Sequence, residues 1–117
     1  MANGNDLNKR LFDFAVRVIK FLRTLPNNTE YKVIHYQLVK SSTSSGANYE
    51  ESQGASSRAD FSNKVFISLK EMRESNYWLR ILQAIKEDKS NELDVLIKES
   101  EELKKILGSI TTKTRVK

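Results

Sequence analysis

The chain has 117 residues, no cysteine, one proline and four glycines, with 20 Lys and Arg set against 15 Asp and Glu. That length suits a single domain (1–117) with a modest core; the missing thiols exclude a disulfide framework and a thiolate metal site, which fits a reducing cytoplasm, and the scarcity of breakers excludes the many turns of a small β domain. The net charge of +5 makes nucleic acid a partner to consider, while Asp13, Arg17 and Lys20 interrupt the most apolar stretch, LFDFAVRVIKFL, and leave no membrane span.

The opening MANGNDLNKR is polar and lacks the apolar core of a secretory leader. A first helix is predicted over about residues 6–25. Leu7, Leu11, Phe14, Val18, Leu22 and Leu25 recur at three- and four-residue steps, with Asp6 as N-cap and Pro26 as a sharp end. Phe12, Val16 and Ile19 lie off that stripe. The outer side carries Lys9, Arg10, Arg17, Lys20 and Arg23 against Asp13.

The second helix is predicted over about 29–53, with Thr29 as N-cap and Gly54 as stop. Its stripe of Tyr31, Ile34, Leu38, Ser45, Tyr49 and Ser52 passes through the small-residue run SSTSSGA without losing phase; Leu38 and Tyr49 stand 11 residues, about three turns, apart. A linker has no reason to keep register. Ser and Thr cost a helix about 0.5 kcal/mol each relative to Ala, so close packing of a partner against the thin surface is expected to offset them. A solvated kink is the other reading of the same run.

The third helix, about 57–87, opens with Ser57 and Asp60 in a capping-box-like arrangement. Its main stripe is Phe61, Val65, Leu69, Met72, Asn76 and Leu79, and a second stripe carries Ile67, Trp78, Ile81 and Ile85. Apolar residues on two sides exceed what a monomeric bundle covers, so Phe12, Val16, Ile19, Ile67, Trp78, Ile81 and Ile85 are expected to meet another subunit. The fourth helix, about 91–111, starts after Ser90 as N-cap and has Leu93, Ser100 and Leu107 spaced by seven, as are Leu96, Leu103 and Ile110. Residues 112–117 read as a basic, frayed tail. Charge runs in blocks: residues 1–86 are net +5, 87–102 net −5 and 103–117 net +5. Four helices with short connections predict an all-α, antiparallel up-down bundle that is oligomeric.

No catalytic or metal constellation stands out, and no cofactor is expected. His35 has no neighbouring ligand or nucleophile, and Asn28, Thr29 and Glu30 depart from helical nucleases that place an Arg shortly before a His. Glu50 and Glu51 point about 100° apart on a helix, as a solvated or interface pair would. Phe66, Lys70, Arg73, Tyr77 and Arg80 share one stripe of the third helix, where cations and rings could grip phosphates and stack on unpaired bases. The other reading pairs Arg73 and Arg80 with Glu51 or a neighbour's acids and buries the rings in an interface.

Ser45-Gly46-Ala47-Asn48 with Glu50-Glu51, then Asp60-Phe61, Leu69-Lys70-Glu71, Arg73-Glu74 and Tyr77-Trp78-Leu79 resemble the signature of the four-helix-bundle family encoded by intervening sequences of bacterial 23S ribosomal RNA genes, often labelled a ribosomal protein. The likeness spans roughly residues 7–107, with Tyr49 standing where an aliphatic residue is expected. It implies an up-down bundle assembled as a ring-like homopentamer and a link to RNA, and it supplies no catalytic residues to carry over. An accessory protein of diversity-generating retroelements, thought to bind nucleic acid and a reverse transcriptase, resembles the same family. Asn48, Glu50 and Glu51 with Tyr77 and Trp78 are expected to form a packing site between helices or subunits. The function expected is a non-enzymatic, cytoplasmic, self-associating bundle that binds RNA or a ribonucleoprotein, or else a protein scaffold whose basic patches hold an acidic partner.

Overall fold

The computed structural model describes residues 4–86 and 91–115; the expected N-cap Ser90 lies outside them. They form four helices and no strand: α1 (Gly4–Leu22), α2 (Thr29–Ser52), α3 (Arg58–Ile85) and α4 (Asn91–Thr114). At 1.5 Å per residue the 28 residues of α3 span about 42 Å, nearly the whole 46 Å long axis of the molecule. The helices pack against one another around the predicted stripes. Leu11, Phe14, Val18, Leu38, Val65, Met72, Leu79, Leu96, Leu103 and Leu107 are all buried.

Three expected ends differ. Asp6 sits inside the first turn of α1, where its charge meets the helix dipole, because the helix begins at Gly4. Asn28, not Thr29, caps α2: its side chain accepts from the Tyr31 N–H at 3.3 Å. Gly54 follows α2 without a left-handed conformation, since no residue among those described has positive φ. The chain leaves α2 through a tight turn in which Gln53, Gly54 and Ala55 each donate to a carbonyl three residues back. Ser57 caps α3 as expected, accepting from Asp60 N–H at 3.0 Å, while Asp60 reaches back to the N–H of Ser56 at 3.1 Å. The tail is corrected too: α4 continues through Thr114, with Thr111, Thr112 and Thr114 hydroxyls returned to carbonyls one turn back.

The small-residue run is helix, and it is thin because α3 lies against it. Ser45 Oγ donates to the Ser68 carbonyl at 2.9 Å, and Ser68 Oγ donates to the Ser45 carbonyl at 2.7 Å. A side chain as short as serine reaches the backbone of the other helix only when the two backbones approach closely. One step along, Ser41 Oγ and Ser75 Oγ are 2.8 Å apart. Ser41, Ser45, Ser68 and Ser75 are completely buried. Hydroxyl pairing leaves none of them an orphan, and orphans are what would have made a buried serine seam costly.

Residue numbers on α2 rise along this seam as those on α3 fall. Asn76 with Ser100 and Gln83 with Asp94 show the same opposition between α3 and α4, and Arg10 with Glu99 and Arg17 with Glu92 show it between α1 and α4. These last contacts explain the charge blocks. Arg10 makes a two-pronged bond to Glu99 and a further one to Glu102, and Arg17 makes a two-pronged bond to Glu92. The acidic first half of α4 thus faces the cations of α1.

Trp78 is half-buried, packed on the core, with its Nε1 donating to Glu74 at 3.1 Å. Replacing it with Ala should cost about 2 kcal/mol, below the 3–5 expected of a fully enclosed Trp. Urea unfolding measures this; a loss under about 0.5 kcal/mol would mean the ring contributes no packing.

Candidate functional site

Helix periodicity places Phe66, Lys70, Arg73, Tyr77 and Arg80 on one exposed edge of α3. The rings are 43% and 48% exposed, enough to offer a face to a ligand. Each ring holds a cation of its own stripe: Lys70 Nζ lies 5.9 Å from the Phe66 centroid and Arg80 Cζ lies 5.8 Å from that of Tyr77. Tyr77 also meets Trp78 edge-on at 5.1 Å, which fixes its orientation.

Helix α4 adds Lys104 and Lys105, which fall inside the predicted fourth helix but outside the expected set of binding residues. Arg73 shares a groove with Lys104, Lys105 and Glu101, floored by Leu69 and Gly108. Farther along the same joint, Phe66 and Arg115 line a second hollow with Thr111. Lys104 Nζ is 3.4 Å from Asn76 Oδ1, the same oxygen that accepts from Arg80 Nε at 2.9 Å. The α3–α4 face therefore gathers Lys70, Arg73, Arg80, Lys104, Lys105 and Arg115, with Glu101 the carboxylate among its groove residues. The signal for the α4 members was present: Leu103, Leu107 and Ile110 keep helical phase beside a block of five cations with no acid.

Glu51 does not hold Arg73 or Arg80; its carboxylate is 2.9 Å from Lys64. On α1 the expected cations divide. Lys9 pairs with Asp13, Arg10 and Arg17 are engaged by α4, and Lys20 and Arg23 remain exposed. The carboxylates of Glu99 and of Glu92 hold the Arg10 and Arg17 protons more tightly than usual, so these two charges serve the α1–α4 joint. Nor do Asn48, Glu50 and Glu51 join Tyr77 and Trp78 in one site within a single chain. Asn48 donates to the Ser44 carbonyl of its own helix, Glu51 lies opposite Lys64, and Tyr77 follows Ser75, which lies opposite Ser41 at the far part of the seam.

The far edge of α3 is acidic. Burial, and then Glu74, pushes the Glu71 carboxyl above its ordinary range, with Lys40 and Lys70 pulling the other way. A carboxyl that holds its proton more tightly folded than unfolded stabilises the fold below the ordinary carboxylate range and loses that contribution as pH rises through it. Glu71→Gln should therefore raise the melting temperature at pH 7, by an amount worth within about 0.5 kcal/mol, and leave it unchanged near pH 3. Thermal scans at the two pH values check the sign.

A different surface runs between α1 and α2. A groove of about 380 Å³ is lined by Leu11, Phe12, Val16, Ile19, Gly46 and Glu50, among others, and by Asn8, whose Oδ1 is buried with no hydrogen-bond partner among the described residues. Phe12 is 67% exposed at its edge, and Val16 and Ile19 are half-buried. Of the α3 residues expected at an interface, Ile85 is exposed and Ile67 half-buried, while Trp78 and Ile81 pack partly on the chain's own core. The corner between α1 and α2 holds an open hollow of about 600 Å³ with Arg23, Tyr31, Lys32, His35 and Tyr36 in its wall. None of the last four was expected to bind: Tyr31 reads as part of the core stripe, His35 has no ligand or nucleophile beside it in sequence, and Lys32 and Tyr36 carry no motif.

Among the described residues no group of three His, Asp or Glu is placed to hold a metal ion, and no helix is long and apolar enough to cross a membrane. No curated protein matches the chain. A crystal structure at 1.70 Å resolution of a protein of unknown function from the S23 ribosomal protein family of Bacteroides thetaiotaomicron VPI-5482 is similar to it at 36% sequence identity and a TM-score of 0.81, covering 90% of this chain and 97% of that one. Residues 4–109 match the family described as 23S rRNA-intervening sequence protein. With the whole bundle through Ser109 inside that match, and a solved relative of the same helical form, this chain belongs to the 23S rRNA-intervening sequence protein family.

Proposed function

We propose that the chain is a non-enzymatic, self-associating helical bundle that binds RNA through its α3–α4 face. The observation carrying this reading is the run of cations interleaved with exposed rings from Arg80 to Phe66, widened by Lys104 and Lys105 of α4. Backbone phosphates suit the cations, and unpaired bases suit Phe66 and Tyr77. The opposed residue order along the α2–α3, α3–α4 and α1–α4 joints supports the antiparallel up-down arrangement, which lays α3 and α4 side by side so that their cations merge. Family membership adds the RNA connection, and a cytoplasmic setting goes with it. Self-association, as a homopentamer on the family resemblance, would repeat the basic face around a ring.

Filter binding of structured RNA over a salt series tests the proposal. Five neutralised phosphates per chain give a slope of about −3.5 to −4.5 in log affinity against log salt, or a loss of roughly 100- to 500-fold between 50 and 200 mM. Arg73→Gln with Arg80→Gln should flatten the slope by about 1.5 to 2. Weak binding that ignores both salt and these substitutions would overturn the assignment. Retention of an acidic partner protein from nuclease-treated lysate, with no RNA affinity, would point to the scaffold alternative.

A further inference from the structure

Within the α3–α4 face one arrangement is built more tightly than the rest. Asn76 is 1% exposed, and both ends of its carboxamide are engaged. Its Nδ2 donates to Ser100 Oγ at 2.8 Å, while Ser100 Oγ donates to the Ile97 carbonyl at 2.7 Å. Because the serine proton is already committed, the amide can only be a donor toward Ser100. Its oxygen must then point the other way, where it accepts from Arg80 Nε on α3 and from Lys104 Nζ on α4, at 2.9 and 3.4 Å. A flipped amide would set N–H groups against two cations.

Two positive side chains from different helices are thus drawn to a single neutral oxygen. A carbonyl orients them but supplies no charge to offset their repulsion. The Tyr77 ring flanks the Arg80 guanidinium, whose two Nη groups have no partner among the described residues. Arg73 and Lys105 stand in the adjoining groove with Lys104, and Glu101 there makes no ion pair among the described residues. An oxyanion seated between the Nη edge and the ammonium would accept charge-assisted bonds from both. The arginine fork alone can satisfy a planar carboxylate. A phosphodiester, with non-bridging oxygens directed to different sides, can engage the fork and the lysine together.

We infer that Arg80 and Lys104 form a phosphate clamp for one backbone phosphodiester of a bound nucleic acid, with buried Asn76 as the residue that positions them. The clamp rests on the nucleic-acid reading of the α3–α4 face and fixes where on that face one phosphate is held.

Inorganic phosphate is titrated into isotope-labelled protein, with the Asn76 side-chain amide and Arg80 Nε resonances as reporters. Both should shift and saturate at about millimolar phosphate, and stay still in chloride of equal ionic strength; identical shifts in chloride would overturn the clamp. Lys104→Gln should weaken the titration about tenfold, and Arg80→Lys, which keeps the charge but loses the fork, by a similar factor. Asn76→Asp retains the acceptor but adds a charge that occupies both cations, so phosphate should no longer register on Arg80; if that variant does not fold, Arg80→Lys carries the test. In a second arm a ten-residue oligouridylate should move the same two signals and be competed there by phosphate. Oligouridylate that moves Lys70 and Arg73 signals but leaves Asn76 and Arg80 silent overturns the clamp and leaves the RNA-binding face standing. Phosphate that saturates the clamp while oligouridylate fails to bind overturns the RNA reading and marks a site for a free oxyanion instead.

Discussion

Ser45→Leu is expected to destabilise the chain by about 3–5 kcal/mol, a large part of the 5–15 kcal/mol that holds a domain of this kind together. Ser45 is fully buried and exchanges bonds with Ser68 in both directions, side chain to backbone. A leucine there has to push α2 and α3 apart, which costs roughly 1–3 kcal/mol in overpacking, and it removes a hydroxyl that two groups of Ser68 share. Ser45→Ala gives up that hydroxyl without widening the seam, and Ser68 Oγ still finds the carbonyl of residue 45. About 1 kcal/mol is expected from it. Denaturant titration of both variants separates the contributions. If leucine proves no worse than alanine, the helices are not held close by their small residues, and the solvated-kink reading returns.

Val16→Asp should reduce the native mass to that of one 13.5 kDa chain, where the unaltered protein is expected to scatter light as a multiple of it. Val16 lies in the groove between α1 and α2 beside exposed Phe12 and the unpartnered Asn8 oxygen. An apolar surface with a buried, unsatisfied acceptor is incomplete by itself, and a second copy would supply hydrocarbon for the one and a donor for the other. A carboxylate trapped in such a contact costs several kcal/mol, and at 1.4 kcal/mol per tenfold about 4 kcal/mol weakens association roughly a thousandfold. Because Val16 is only half-buried within its own chain, the monomer should keep its helical content. A wild-type mass of 13.5 kDa would remove the premise.

What could be read from the residues follows from the range over which each signal acts. Helical phase is carried by a dozen or more residues, so the stripes of Leu11 and Phe14, Leu38 and Tyr49, and Val65 and Met72 were legible, and the serine run kept phase through them. Capping depends on one side chain and its neighbour, and there Asn28 displaced Thr29 because either could offer an oxygen one turn ahead of an N–H. The α4 end was misread because cations beside Thr and Gly look like a frayed tail unless the Leu103 and Leu107 phase is carried forward past Ile110. The candidate site was half legible for a related reason. Its α3 members share a local stripe, whereas Lys104 joins them only by packing, beside Arg73 in a groove and at Asn76, 28 residues away, and Arg10 and Arg17 leave the cation pool because Glu99 and Glu92 come to meet them. Pairings at such separation are set by packing, which one sequence does not display.

The serine seam bears on heat as well as on shape. Uncovering hydrocarbon on unfolding raises the heat capacity, by about 0.45 cal/K/mol per Å², while uncovering polar surface lowers it. Along the serine seam α2 and α3 meet through hydroxyls and carbonyls rather than leucine, so opening that stretch releases less hydrocarbon to water than an all-leucine joint would. The dome relating free energy to temperature should accordingly be slightly broader than that of a bundle whose same joint is leucine throughout.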